Sequence, residues 1–104
     1  MTQIITLSTA GTQVVVPGRS GWRTFIASIA ITVSGETNIT FDFGIFGPSG
    51  AMDFGGENEP RGIVIPMGDS PAPCGYGDFS ITSDGAAINV AGFITYYQES
   101  EKED

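Results

Sequence analysis

Trp-Arg-Thr-Phe-Ile-Ala-Ser-Ile-Ala-Ile-Thr-Val-Ser, residues 22–34, is the stretch of this 104-residue chain that decides the fold. Apolar and polar side chains alternate along it with a period of two, the pattern of a β-strand that buries one face. The predicted buried face comprises Phe25, Ala27, Ile29, Ile31 and Val33, and Thr24, Ser28 and Thr32 lie on the opposite face.

The same alternation returns after Gly35-Glu36, which has the composition of a turn. Residues 38–46 place Ile39, Phe41, Phe43 and Ile45 on one face and Thr40, Asp42 and Gly44 on the other. Two alternating segments that are joined by a short turn are typical of a hairpin. We therefore predict that residues 22–34 and 38–46 pair as antiparallel neighbours.

Helix-forming residues are scarce, and Leu7 is the only leucine. Further strands are predicted at residues 3–8, 12–16, 62–66, 78–82 and 87–97, with a hairpin turn at Asp84-Gly85. Long loops are predicted at 47–60 and 67–75. So many strands must cover one another's apolar faces, which predicts an all-β fold, an antiparallel β-sandwich or jelly roll of about seven to eight strands.

The predicted domain boundaries follow from this pattern. Residues 1–98 form a single domain, and residues 99–104 (Glu-Ser-Glu-Lys-Glu-Asp) form an acidic tail that is either solvated or a handle for a basic partner. Residues 1–17 have strand character without strict alternation. They are interpreted as an edge strand of the domain or as an arm that pairs with a neighbouring copy.

Charge and composition restrict the partners. The net charge is −8, and the basic residues number only four, so binding to nucleic acid or to anionic membranes is disfavoured. No segment resembles a signal peptide or a membrane span, which favours synthesis in the cytoplasm. Charged residues make up 15%, below the roughly 25% of typical soluble domains. This low fraction predicts association with other copies or with a partner.

The sequence offers little for catalysis, and we predict that the chain is not an enzyme. It has no histidine, and Cys74 lies among prolines and glycines without a basic neighbour, as an unactivated thiol does. We predict no cofactor. The acids Asp53, Glu57 and Glu59 in the first long loop have the oxygen ligands of a calcium site, but a solvated loop is favoured.

Large apolar side chains are the candidate interface residues. They are Trp22, Phe46, Met52, Phe54, Met67, Tyr76 and Tyr97. A carbohydrate- or receptor-binding face is an alternative use of Trp22, Tyr76, Tyr96 and Tyr97, although only one of the last two can point inward. An acidic inhibitor or DNA mimic is a third hypothesis, which the wide spacing of the interior acids disfavours.

About three-quarters of the chain resembles the small β-sandwich virion proteins of tailed bacteriophages that decorate or cement a capsid. The resemblance is carried by residues 25–33 followed by 39–43, by the excursion that contains Pro60-Arg-Gly-Ile-Val-Ile-Pro66, and by the strands 77–82 and 88–97. It implies a non-enzymatic structural protein located in the virion after synthesis in the host cytoplasm. It also implies a homo-oligomer, with a trimer favoured, that binds the major capsid protein or another virion protein.

Overall fold

The computed structural model of the chain describes residues 1–85 and 87–100, and these form nine β-strands and one short 3-10 helix, Gly44–Phe46. The strands are β1 (Thr2–Leu7), β2 (Gly11–Val16), β3 (Trp22–Val33), β4 (Thr37–Phe43), β5 (Met52–Phe54), β6 (Gly62–Pro66), β7 (Ala72–Gly75), β8 (Phe79–Ser83) and β9 (Val90–Ser100). Within the described residues, no helix has the length and apolar character that a membrane crossing requires.

The strands form two antiparallel sheets that pack as a β-sandwich, which confirms the predicted fold class. One sheet has the order β1-β9-β3-β6, with β7 also paired to β3, and the other has the order β2-β8-β4-β5. β6 and β7 pair with different stretches of β3, so they share one edge position. The pairs β1–β9, β2–β8, β3–β6/β7 and β4–β5 are nested, as in one long hairpin rolled up into a jelly roll.

The predicted hairpin between residues 22–34 and 38–46 is wrong. β3 and β4 lie in different sheets, and each pairs with strands far away in the sequence. Their apolar faces meet across the core, where Ile29 and Phe41 both belong to the buried cluster. The turn at Asp84-Gly85 is likewise not a hairpin turn, because it leads from β8 in one sheet towards β9 in the other.

A β-bulge changes the predicted faces of β3. Ile26 pairs with Tyr96 and Ser28 with Thr95, so Ala27 is an extra residue without a partner on β9. The inward positions before the bulge are therefore Thr24 and Ile26, and after it they are the predicted Ile29, Ile31 and Val33. Phe25, predicted to face the core, instead stacks on Tyr97, with 5.0 Å between the ring centroids.

The two predicted long loops each contain a short strand that was not expected, β5 in the first and β7 in the second. β4 also ends earlier than predicted, at Phe43. Ile45 therefore lies in the 3-10 helix and is exposed, whereas Ile39 and Phe41 are buried as expected. The prolines and glycines of these segments limit the strands to three and four residues.

Both ends of the described chain belong to strands. β1 pairs with β9, and β2 pairs with β8, all within the same chain. β1 and β2 are therefore edge strands, one in each sheet. Glu99 and Ser100, predicted to begin the acidic tail, are the last residues of β9. Residues 101–104 of that predicted tail lie outside the described residues.

Candidate interaction surface

Four of the candidate interface residues are exposed or half-buried. Trp22 is half-buried at the start of β3, and the guanidinium of Arg19 lies 4.3 Å from its ring centroid. Phe46 is exposed on the 3-10 helix, and Tyr76 is exposed after β7. Tyr97 is exposed on the outer side of β9, beside Phe25. The ring of Phe46 lies beside Gly75, the residue before Tyr76, so these two candidates are close to each other.

Three of the candidate residues pack inward. Phe54 is 2% exposed and belongs to the core, so it offers no surface to a partner. Met52 and Met67 are half-buried and pack against the same core cluster. The reason is that the segments expected to be open loops return to the sandwich, Phe54 through the pairing of β5 with β4 and Met67 through a hydrogen bond from its N–H to the Ala27 carbonyl oxygen (3.0 Å).

A continuous surface is found instead on the outer side of the five-stranded sheet. Three rows of aligned residues cross β1, β9, β3 and β6 there, and together they define what we call the uncharged face. The rows are Thr2-Thr95-Ser28-Pro66, Ile4-Phe93-Ala30-Val64 and Thr6-Ala91-Thr32-Gly62. All twelve residues are uncharged, and every one is exposed or half-buried.

The middle row of the uncharged face is entirely apolar. Val64 is 71% exposed, Ile4 62% and Phe93 44%, and Ala30 lies between Phe93 and Val64. On the next row, the hydroxyls of Ser28 and Thr95 lie 2.6 Å apart and hydrogen-bond to each other. Because these two hydroxyl groups already hydrogen-bond to each other, removing them from water at an interface costs less free energy.

A shallow hollow of about 540 Å³ opens in this face. Small residues form its floor because Ala30, Gly62 and Ala91 place no large side chain there. Phe93 and Val64 rise at its sides. The face therefore presents protruding apolar side chains and an apolar recess next to each other, the relief found at the centre of protein–protein contacts.

The outer side of the four-stranded sheet is different in character. Its aligned rows contain Thr12-Thr82-Thr40 and Val14-Ser80-Asp42, and Asn38 lies opposite Asp53. Asp84, just after β8, accepts hydrogen bonds from the backbone N–H and the side chain of Asn38. Apart from the exposed Val14, hydroxyls, carboxylates and an amide form these rows, so the two outer surfaces of the sandwich are chemically distinct.

The groups that could carry chemistry are few and dispersed. Burial raises the pKa of the Cys74 thiol to about 12, and the charge of Asp42 adds to the rise. Across residues 1–85 and 87–100, no three His, Cys, Asp or Glu side chains are grouped closely enough to hold a metal ion. In the predicted acidic loop, Glu59 accepts the N–H of Gly56 (2.9 Å) and so stabilises its own turn.

A second depression, of about 420 Å³, lies at one end of the sandwich. Its lining comprises Gly18, Ser20, Gly21, Tyr76 and Asp78. Asp78 accepts a hydrogen bond from the Gly18 backbone N–H, which holds the carboxylate at the wall of the depression. An exposed phenol ring beside a carboxylate and open backbone is a polar arrangement, unlike the hollow in the uncharged face.

The main residues of the uncharged face were not among the candidates from the sequence. A signal for them exists, because each of its four strands has apolar neighbours where alternation requires a polar residue: Ile4-Ile5, Ala30-Ile31, Val64-Ile65 and Phe93-Ile94. Adjacent strand residues point to opposite faces, so such pairs indicate a sheet that is apolar on both sides.

Comparisons of the chain with protein-family models, with curated proteins and with solved structures find no match in any of the three.

Proposed function

We propose that this chain is a non-enzymatic structural protein of a virion, a capsid decoration or cement subunit that acts through protein–protein interfaces. The observation that carries the proposal is the uncharged face, an exposed apolar surface on a chain of net charge −8. Its partners would be other copies of the chain and the major capsid protein or another virion protein. Its location would then be the virion.

The shape of the uncharged face supports a macromolecular partner over a small molecule. Sites for small ligands are concave and enclose most of the ligand with a few convergent polar groups. Here Ile4, Phe93 and Val64 instead project from a sheet, and the recess beside them is open and has a lining that is mostly apolar. Exposed apolar patches of this kind mark protein contacts.

The remaining chemistry agrees with a structural role. The chain has no histidine, and the thiol of Cys74 is buried with a pKa of about 12. A nucleophile requires a neighbouring base or a lowered pKa, and Cys74 has the opposite environment. The jelly-roll order adds weight by analogy, because capsid proteins are among the proteins that use this fold.

The direct test is detection in particles. Virions are purified from the virus whose genome encodes the chain, and an antibody against the chain is used on density-gradient fractions and on sections prepared for electron microscopy. We expect co-migration with the major capsid protein in a fixed copy ratio that survives washing at about 0.5 M salt, since an apolar contact is little weakened by screening. Its absence from particles, or its loss in the salt wash, would refute the proposal.

A carbohydrate- or receptor-binding module is the second candidate, and the depression around Tyr76 and Asp78 favours it. Sugars bind to aromatic rings through their apolar faces and to carboxylates through their hydroxyls. A glycan array with the wild-type chain and Tyr76→Ala tests this candidate. If the chain is such a module, the wild type should bind glycans on the array and Tyr76→Ala should not. An array on which the wild type binds no glycan would exclude this candidate function.

A further inference from the structure

The uncharged face is complementary to itself. Phe93 protrudes beside a hollow whose floor is formed by Ala30, Gly62 and Ala91, so one surface carries both a protruding ring and a recess of larger volume. A surface that contains both parts can meet an identical surface about a two-fold axis, since each protruding ring then faces the recess of the other copy. We infer that two copies of this chain pair through their uncharged faces, with Phe93 of each copy in the hollow of the other.

The distribution of charge favours a second copy in this orientation. Two chains of net charge −8 repel each other, and the cost depends on how close their charges approach. The aligned aspartates Asp42 and Asp53 lie on the opposite sheet, behind the core. Face-to-face pairing stacks four sheets at about 10 Å per layer, which separates the two acidic surfaces by about 30 Å. That separation exceeds the Debye length of about 8 Å at physiological salt, so the repulsion between these two aspartate-bearing surfaces is screened.

The size of the surface fits a reversible pair. Four strands at about 4.8 Å spacing give a width of about 19 Å, and three rows with the neighbouring Phe25–Tyr97 row give a length of about 27 Å. The contact then covers about 500 Å² of each copy, or about 1,000 Å² in total, at the lower limit for specific interfaces. We therefore expect a dimer that dissociates on dilution.

This inference goes beyond the proposed virion role and does not depend on it, because it concerns the purified chain alone. It differs from the trimer that the resemblance favours. A pair about a two-fold axis fills both recesses and closes, which leaves no uncharged face open for a third copy. Because the pair dissociates on dilution, a separated copy has its uncharged face open for contact with a shell.

The test uses two variants that differ only in which face they change. Val64→Lys places a charge in the middle row of the uncharged face, and Val14→Lys makes the same change on the outer side of the four-stranded sheet. Both valines are exposed, 71% and 48%, so both variants are expected to fold, which circular dichroism and thermal unfolding verify. Each variant changes the net charge by the same amount.

The measurement is the molar mass by light scattering and sedimentation equilibrium, from about 1 μM to about 1 mM, the range in which an interface of this size dissociates. We expect the wild-type mass to rise from that of one 10.9 kDa chain to that of two. Val64→Lys is expected to weaken the association at least about tenfold, and Val14→Lys to leave it within about twofold.

A second measurement tests the geometry. In a sample mixed from isotope-labelled and unlabelled chains, intermolecular nuclear Overhauser effects are expected between the Phe93 ring and the Ala91 methyl group. A wild-type chain that remains monomeric, a mass of three chains, equal weakening by the two valine variants, or intermolecular contacts confined to other residues would each overturn the inference. None of these outcomes bears on whether the chain is found in particles.

Discussion

The backbone N–H of Thr6 on β1 donates a hydrogen bond of 2.9 Å to the Oε1 atom of Gln13 on β2, which belongs to the opposite sheet. The same side chain donates through Nε2 to the carbonyl oxygen of Ile4 (3.4 Å). β1 is an edge strand, and the even-numbered residues of β1 turn their backbone groups away from β9. The Gln13 side chain thus hydrogen-bonds to a backbone N–H and a carbonyl oxygen that another strand would otherwise pair with. This protects the edge of the sheet from pairing with another chain.

Substitution of Gln13 tests this role. Gln13→Ala is expected to speed hydrogen exchange of the Thr6 amide and to lower the free energy of unfolding by about 1 kcal/mol, the usual loss for one or two hydrogen bonds. Amide exchange followed by NMR is the measurement. Gln3→Ala, at an exposed glutamine of β1, is the matched control and should leave the Thr6 amide unchanged. Unaltered exchange at Thr6 in Gln13→Ala would contradict the assignment.

Gly92 is expected to tolerate no side chain. It lies between Ile5 and Ile31 in the sheet with a φ of 155°, and an added Cβ would overlap the carbonyl oxygen of Ala30. Since the atom that the added Cβ would meet belongs to the backbone of β3 and cannot turn aside, Gly92→Ala should lower the free energy of unfolding by about 3 kcal/mol.

Denaturant unfolding measures this effect. Gly50→Ala is the control that distinguishes steric overlap of the added Cβ from the strain of a positive φ. Gly50 also has a positive φ, 91°, but an added Cβ would meet no atom within 4 Å. Its substitution should cost only about 1 kcal/mol, from backbone conformation alone. Equal losses in the two variants would show that close packing at Gly92 is unimportant.

Asp84 should make stability depend on pH in the acid range. The hydrogen bond from the Asn38 backbone N–H lowers the pKa of its carboxyl group, and the side chains of Thr37 and Asn38 add to this effect. A carboxyl group whose pKa is lower in the folded state stabilises the fold above its unfolded pKa, near 3.9, and this contribution is lost as the pH falls through the folded value.

We therefore expect Asp84→Asn to be less stable than the wild type at pH 7, with a difference that shrinks below about pH 4. The free energy of unfolding measured from about pH 7 to pH 2 is the readout. Asp53→Asn, at an exposed aspartate of the neighbouring β5, controls for the change in net charge. A difference that stays constant down to pH 2 would be inconsistent with the lowered pKa.

The thiol of Cys74 is expected not to react with thiol reagents while the domain is folded. The residue is buried, and its pKa of about 12 leaves almost no thiolate at pH 8. Labelling with a chromogenic disulfide at pH 8 should therefore proceed only as fast as the domain opens. It should become complete within seconds to minutes in guanidinium. Rapid labelling of the folded chain would show that the thiol is accessible after all.

The sequence was sufficient for the class of fold because alternation is a local property. Ile29, Ile31 and Val33 face the core as the pattern required. The pairing of strands is not determined by the local sequence. β3 and β4 are consecutive and both alternate, but strands that pair and strands that face each other across a core have the same alternating pattern. The bulge at Ala27 was equally invisible, since it depends on pairing with β9.

The candidate surface was harder to predict for a related reason. Residue size and apolarity drew attention to Phe54, whereas the pairing of β5 with β4 places that side chain in the core. Phe93, Val64 and Ile4 form a surface only because three strand pairings align them in one row. Individually, each is one apolar residue beside another, and their alignment becomes evident only from the order of the strands.

The nested strand pairs have a consequence for the order of folding. The innermost pair, β4 with β5, joins Ile39 to Met52, whereas the outermost pair, β1 with β9, joins Leu7 to Val90. Closing a longer loop costs more entropy before any contact repays it, so we expect the roll to close from the inside outward and comparatively slowly. The uncharged face requires β1, β9, β3 and β6 together. It is therefore completed in the last step, and a chain that is still folding does not yet display the surface by which we expect it to recognise another copy.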